Sequence, residues 1–550
     1  MKPCALRRFG FPALAQFRPG AALWLLGVLC LVSPAPRLTA ATFDLANATV
    51  ADIQAAYAAG ALNAEKLTAL YLKRIETYEP TLNAVLALNP RALEEARALD
   101  AERVAKGPRS PLHGIPVVLK DNFDTTDLPT TGGFFGLKGS LPLQDATVVA
   151  RLRAAGAIIL AKTNMSEFAS GGAMSSVAGA MRNPHALDRA PGGSSGGSGV
   201  AIAAYYAPIG FGTDTGGSIR SPSTTNGIVG LKPTLGLLSR AGIIPLSLSL
   251  DTGGPMTRSV YDVAVSLNVT ARGEDLRDPV TRFSAGNTVA DYTRGLDAGA
   301  LQGVRIGVAR GFLGQDADVD AVFESALATL KAKGAVLIDV QYPDTVLKIR
   351  NELYNAVRKP EFKAQIADYL ATLRPGYPKT LMEILAMSEK VIAPRADGVQ
   401  PNPGRLTLYR QEVKMPALSD PIYRAAIEQG MPFVRASLAG VFEAHQLDAI
   451  VYPTNPKSTA RVGEEPPSPS GVGAGAPTNS PYTFANLTGF PELTIPAGFN
   501  SNRLPVGISF FGRAWSEPRL LALGYAYEQA SQALRVPVHA PALAGERFEY

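Results

Sequence analysis

Strand-like and helical segments alternate through most of this 550-residue chain, which predicts an α/β protein. We expect one α/β/α sandwich around a mixed, largely parallel-type β-sheet, with a helical cap inserted in its second half. Two further observations favour a single large domain. No Pro/Gly/Ser-rich linker divides the chain cleanly and no internal repeat is present, although about five hundred residues exceed the usual domain size.

In chain order, Thr49–Tyr78 has helical spacing of its apolar residues. Asn63 is placed to cap the stretch carrying Leu67, Leu70, Tyr71 and Ile75. Strand-like runs follow at Ala84–Leu88, Ile115–Lys120 and Ala157–Ala161, interleaved with helical patterns at Arg91–Arg103, Asp145–Ala155 and Ser198–Tyr206. Such alternation is the signature of a parallel or mixed sheet covered by helices. Later, Val304–Val308 and Ala335–Val340 read as strands around a helix at Asp318–Lys331. A long helical stretch from Thr345 to Val391 opens the expected cap, placed at about residues 345–440. Ala393–Gly404 and Pro456–Pro481 are Pro/Gly-rich and read as long loops, the second a candidate lid. Core character returns in Phe484–Gly498 and Leu504–Gly512.

The first 41 residues have the order of an export leader. Arg7, Arg8 and Arg18 precede an apolar run from Ala21 to Val32, too short for a membrane span, and small residues at Thr39–Ala41 offer a cleavage site. Arg7–Arg8 lies far from the apolar run, which favours Sec-type over twin-arginine export. Cys30 lacks a lipoprotein context. The expectation is a periplasmic or secreted protein, 42–550, without stable membrane association after cleavage. The leader holds five basic and no acidic residues, so its removal takes the net charge from +6 to +1. No basic stripe with interleaved aromatics remains to bind nucleic acid.

Residue counts exclude further chemistry. The only histidines are His113, His185, His445 and His539, widely scattered, and both cysteines, Cys4 and Cys30, fall in the leader. A Cys nucleophile, a Cys-rich zinc site and a disulfide framework are therefore not expected in the mature chain. What the chain does supply is Gly/Ser density: PGGSSGGSG at Pro191–Gly199, GTDTGGSIRSP at Gly212–Pro222, and Lys120 ending the apolar run of GIPVVLKDN. Serine oxygen, a lysine amine and exposed backbone N–H groups suffice for a hydrolase without histidine. The glycine run lacks the GK[ST] ending of a phosphate-binding P-loop.

The block Pro191–Lys232 resembles the amidase signature, and the similarity extends to GIPVVLKDN, KTNMSEF at Lys162–Phe168, SLDTGGPMTRSV at Ser249–Val260, DAIVYPT at Asp448–Thr454 and the two C-terminal strands. The resemblance implies a Ser–Ser–Lys amidase with no cofactor or metal. Carried onto this sequence, it makes Ser218 the nucleophile, Ser194 the bridging serine in a cis peptide, and Lys120 the base. It suggests backbone N–H groups of Thr215, Gly216, Gly217 and Ser218 as the oxyanion hole, with Ser195, Asp214 and Arg220 holding the two loops in register. A lysine base must be depressed from about 10.4, since otherwise only about one in 10³ is neutral at pH 7.

Two rival readings stay open. Gly192–Gly196 also fits the G-x-S-x-G elbow of α/β-hydrolases, which needs a strand before Ser194 and a later histidine, His445 or His539. The glutamine amidotransferase subunit that works on misacylated tRNA shares the signature. The export leader and the lack of a basic stripe put a stand-alone amidase ahead of it. The expected partner is a small-molecule or peptide amide. Peptide amides, anilides, fatty amides, carbamates and esters all stay open as substrates, and oligomeric state is not readable. Pocket walls are expected from Phe168–Val177, the cap and the Pro456–Pro481 loop.

Overall fold

Apolar runs that read as unbroken in the sequence become strands buried on both faces. PVVLK at Pro116–Lys120 and IILAKT at Ile158–Thr163 have every residue buried, the pattern of strands covered by helices on both sides. The computed structural model describes residues 41–464 and 479–550, and Thr42–Tyr550 forms one compact unit. The expected leader, apart from Ala41, and most of the expected lid lie outside the described residues.

The first strand of the described residues is β1 (Thr42–Asp44), paired antiparallel with the last strand, Arg547–Glu549. The main sheet contains β2 (Val85–Leu88), β3 (Pro116–Lys120) and β4 (Ile158–Thr163). After the short ladder of β5 (Met174–Ser175) and β6 (Gly179–Ala180), it continues with β7 (Ile209–Asp214), β8 (Val229–Lys232) and β9 (Thr252–Thr257). Its second half holds β10 (Arg305–Val308), β11 (Val336–Asp339), β12 (Ala449–Pro453), β13 (Glu492–Phe499) and β14 (Pro505–Phe511). The spatial order is β11-β10-β12-β14-β13-β8-β9-β7-β3-β4-β2.

The sheet is mixed, as expected, but it is not largely parallel. Four pairings are parallel, β3 with β4 and β7, and β10 with β11 and β12. The other six are antiparallel. The parallel pairs sit in the two flanks, where helical crossovers connect the strands. The centre is antiparallel because a tight turn at Asn500–Leu504 joins β13 to β14 as a hairpin, and because TGGPMT in β9, which has no apolar run, threads between β7 and β8.

Alternation along β13 defines the two faces. Leu493 and Ile495 point at the helix Glu517–Ser531, where a side chain on Gly524 would lie within 2.7 Å of both. Glu492 points the other way, to Arg220 on the helix Arg220–Thr225. One face is sealed by apolar packing and the other carries the polar machinery.

The insertion folds as helices Asp344–Ala371, Leu381–Ser388, Pro403–Glu412, Pro421–Ala425 and Met431–His445. The helical stretch expected to run unbroken to Val391 stops at Ala371 because Pro375, Gly376 and Pro378 interrupt it; Thr380 then caps the next helix. Asn63 caps Ala64–Leu82 as expected, accepting from the Lys66 N–H at 2.8 Å. Two apolar clusters anchor the insertion. One packs Phe362, Ile366 and Tyr409 on Phe134, Met165 and Phe168; the other packs Val346, Tyr354 and Phe442 on Tyr452 and Phe484. No helix among the described residues is long and apolar enough to cross a membrane.

Candidate active site

β3 delivers Lys120 into the interior at its last position, and the parallel neighbour β7 brings Thr213 alongside it. The lysine is completely buried. Its Nζ lies 2.7 Å from Ser194 Oγ, 2.8 Å from Thr213 Oγ1 and 3.5 Å from the Thr213 carbonyl. Burial pulls its pKa from 10.5 to about 7, against the opposing fields of Asp214 and Asp251. A neutral amine has two N–H donors and one lone pair. The two Thr213 oxygens can take the donors, which leaves the lone pair for the Ser194 hydroxyl.

Ser194 follows a cis peptide bond to Gly193, and its carbonyl accepts from the Ser166 N–H at 3.0 Å. Ser195 ties the loop to β7, donating from Oγ to the Thr213 carbonyl at 3.1 Å and accepting from the Thr213 N–H at 3.2 Å. The Ser195 N–H donates to the Ser218 carbonyl at 3.1 Å. That bond joins the two serine loops; among the described residues the Ser218 side chain makes no hydrogen bond to Ser194. Ser218 itself is nearly buried, at 3% exposure.

Asp214 organises the loop that carries Ser218. Its carboxylate accepts from the N–H groups of Gly217 and Ile219 at 2.8 and 2.9 Å, and from the Arg220 guanidinium at 2.9 and 3.1 Å. Burial opposes its charge, but Arg220 and these N–H donors hold its carboxyl well below the usual range. Arg220 also reaches Glu492 at 2.5 Å and Asn486 Oδ1 at 2.7 Å. Burial disfavours the guanidinium and the two carboxylates more than offset it.

The donors expected to face an oxyanion need one correction. The Gly217 N–H is already bonded to Asp214, which leaves Thr215, Gly216 and Ser218, whose N–H groups are not donated among the described residues. Gly217 has φ +114°, and a side chain there would strike Tyr482; at Gly216 one would come within 2.6 Å of the Tyr354 hydroxyl. Thr215 Oγ1 donates to buried Asp251, which burial raises to about 6. Thr213, Asp251, Tyr354, Tyr482, Asn486 and Glu492 were not singled out from sequence. Glu492 left a signal, a lone carboxylate inside an apolar strand. Tyr354 left none.

Beside Gly193 and Tyr482 opens a cavity of about 100 Å³. Gly172 and Ala173 bring the expected segment 168–177 to its wall, and Thr459 and Ala460 bring the start of the expected lid. No cap helix lines it. The hydrolase-elbow reading fails on geometry: no strand leads directly into Ser194, since the strand before it, β6, ends at Ala180, and His445 and His539 are exposed.

A buried amine at neutral pH, set among serines on two glycine loops, marks an amide-cleaving α/β enzyme. The chain belongs to the amidase family, whose model matches residues 66–521. It is 38% identical over 494 residues to a glutamyl-tRNA(Gln) amidotransferase subunit from Halorhodospira halophila, covering 88% of this chain and 97% of that one. Among solved structures it is similar to the native peptide amidase of Stenotrophomonas maltophilia, with TM-score 0.81 and 38% identity over 90% of this chain and 99% of the other. The corresponding glutamyl-tRNA(Gln) amidotransferase subunit from Thermotoga maritima gives TM-score 0.67 and 27% identity over 90% and 98%. The curated relatives thus weigh toward the amidotransferase alternative more than the sequence expectation did.

Proposed function

We propose that this amidase cleaves a carboxamide through an acyl-enzyme on Ser218. The observation that carries the reading is Lys120: a fully buried amine, pulled to about 7, with Nζ 2.7 Å from Ser194 Oγ. Neutral Lys120 takes the Ser194 proton as Ser194 takes that of Ser218, and Ser218 Oγ bonds to the amide carbon. The N–H groups of Thr215, Gly216 and Ser218 hold the oxyanion. The proton then returns through Ser194 to the leaving nitrogen, the C–N bond breaks, and water hydrolyses the ester.

Ser218→Ala should lower amide turnover by at least about 10⁴-fold with the fold intact, and a serine-directed probe should label Ser218. Full activity of the variant, or labelling at Ser194 alone, ends the assignment.

The second reading, a component of an amidotransferase, draws on the relatives at 36–38% identity. It predicts amide hydrolysis that depends on partner subunits, whereas a stand-alone amidase turns over without partner or ATP. We also propose export through the leader. Mature protein from the native host should then begin near Ala41 or Thr42, and an intact N-terminus in the cytosol would contradict it.

A further inference from the structure

The cap supplies no wall to the cavity beside the serine loops, yet its long helix, Asp344–Ala371, reaches the loop that carries Ser218 by two routes. One is direct, through Tyr354 packed against Gly216. The other is a line of hydrogen bonds through the connection between β8 and β9. Glu361 lies two turns beyond Tyr354 on the same helix and is buried to 1% exposure. Its carboxylate accepts from Ser247 Oγ at 2.6 Å, from the Ser249 N–H at 3.0 Å, from Ser249 Oγ, and from the Tyr423 hydroxyl at 2.8 Å. These donors fill the lone-pair directions of a carboxylate, which leaves Glu361 nothing to offer a substrate. One turn further on, Gln365 Oε1 accepts from the Leu248 N–H at 2.8 Å.

The same segment is held from its other side. Asp251 Oδ2 accepts from the N–H groups of Leu246 and Ser247, each at 2.9 Å. The successive N–H groups of residues 246 to 249 therefore all end on side chains, the first pair on Asp251 and the second on the cap helix. A segment pinned in this way follows the groups that pin it. The other Asp251 oxygen accepts from the Thr215 hydroxyl. Asp214 pairs with Thr252 across β7 and β9, so Thr215 and Asp251 face each other at the next position of that ladder. The line runs from Glu361 through Ser247–Ser249 and Asp251 to Thr215, whose N–H is not donated among the described residues.

Resting on the site reading above, we propose that Glu361 is a positioning residue for the reaction: docked on Ser247 and Ser249, it sets Asp251 and, through it, the Thr215 N–H that receives the oxyanion. Cap and catalytic loop then act as one unit, and loosening the first misaligns the second. A misplacement of about 1 Å at such a donor costs up to about 10²-fold in rate.

The test uses the purified full-length enzyme, with melting temperature as the check on folding. It follows the rate at which a fluorophosphonate labels Ser218, and turnover of whichever of acetyl-leucinamide, p-nitroacetanilide and oleamide the parent cleaves fastest. Glu361→Ala should label to the full final fraction but about 10–100-fold more slowly, with kcat reduced by the same factor and KM within about threefold. A merely structural role would lower the final labelled fraction and leave the rate of the folded remainder unchanged. Thr215→Val keeps the shape and the N–H and should slow labelling as much. The double variant should be slower than the slower single by no more than about threefold, since both cut one line. Tyr423→Phe removes a donor to Glu361 within the cap and should keep the rate within about twofold. A normal labelling rate in folded Glu361→Ala or in Thr215→Val, losses that multiply in the double variant, or equal slowing by Tyr423→Phe overturns the proposal and leaves the site reading standing. If Glu361→Ala does not fold, Glu361→Asp, which withdraws the carboxylate by one methylene, takes its place under the same criteria. Label on Ser194 with none on Ser218, or amide turnover surviving in Ser218→Ala, brings down the site reading instead.

Discussion

Two strands of the same sheet end in a buried lysine, and only one of the two amines faces a serine hydroxyl. Lys120 closes β3 and Lys232 closes β8; both are fully buried, and burial pulls both from 10.5 to about 7. Lys232 is further depressed by the Arg220 charge, with Asp214, Glu492 and Glu517 opposing. Their partners differ in kind. Lys232 donates to the Pro233 and Phe490 carbonyls at 2.8 and 2.9 Å, oxygens that have no proton to give. Lys120 faces a serine hydroxyl, which has one. Depression of a lysine is therefore not itself a catalytic credential; the acceptor or donor character of its neighbours decides.

The sharpest way to break that comparison is to remove each lysine. Lys120→Ala should cost about 10²–10⁴ in kcat/KM for an amide, the range of a lost general base. The loss should be smaller for an ester, whose leaving group departs without a proton. Lys232→Ala should lower the melting temperature, because two buried carbonyls lose their donor, yet leave the folded enzyme within about tenfold of normal. Equal losses from the two variants would erase the distinction.

Next in size is the proposed oxyanion loop, Thr215–Ser218, to which Lys232 makes no hydrogen bond among the described residues. Gly216→Ala would drive a methyl into the Tyr354 hydroxyl, shifting N–H donors that contribute about 10²–10³ in rate. Steady-state kinetics should place the loss in kcat rather than KM. A loss confined to KM would detach this loop from the transition state.

The pH dependence of stability should respond to both lysines in the same direction, since burial is the largest cause of each shift. Each binds fewer protons folded than unfolded between about pH 7 and 10.5. Unfolding free energy on their account therefore rises with pH across that window; below about 7 both forms are protonated and the full burial cost remains. Urea unfolding at pH 7 and 9 should show a smaller rise in either lysine variant than in the parent. An unaltered rise would mean neither lysine is depressed.

The two lysines also mark how far local sequence reaches. Lys120, Ser194 and Ser218 stand out because glycine-serine loops and a lysine after an apolar run are local patterns, whereas Asp214 and Arg220 are reached only through the resemblance to the amidase signature. Lys232 sits in an equally apolar setting, and no local pattern tells its carbonyl neighbours from hydroxyls. Tyr354 reaches Gly216 from a 28-residue helix far along the chain, and Asn486 and Tyr482 come from the helix before β13; such contacts depend on tertiary packing. The flanking parallel strands announce themselves as apolar runs. The central antiparallel order does not, because TGGPMT in β9 is suited to close backbone approach rather than to hydrophobic burial.

The smallest effect tests the neighbour that separates the two lysines most finely. Thr213 Oγ1 accepts from Lys120 Nζ at 2.8 Å and from Asn122 Nδ2 at 3.0 Å, so it stabilises the ammonium and also fixes the amine toward Ser194. Thr213→Val keeps the shape and removes that acceptor. The ammonium then loses a partner, and the acid limb of the kcat/KM profile, which the proposed base Lys120 should place near 7, should move to lower pH. One neutral hydrogen bond corresponds to about 0.5–1.5 kcal/mol, so the plateau rate should fall only about 3–10-fold. The same substitution leaves Lys232 untouched. A limb that moves to higher pH, or does not move while the rate falls, would show that Thr213 does not act through the lysine.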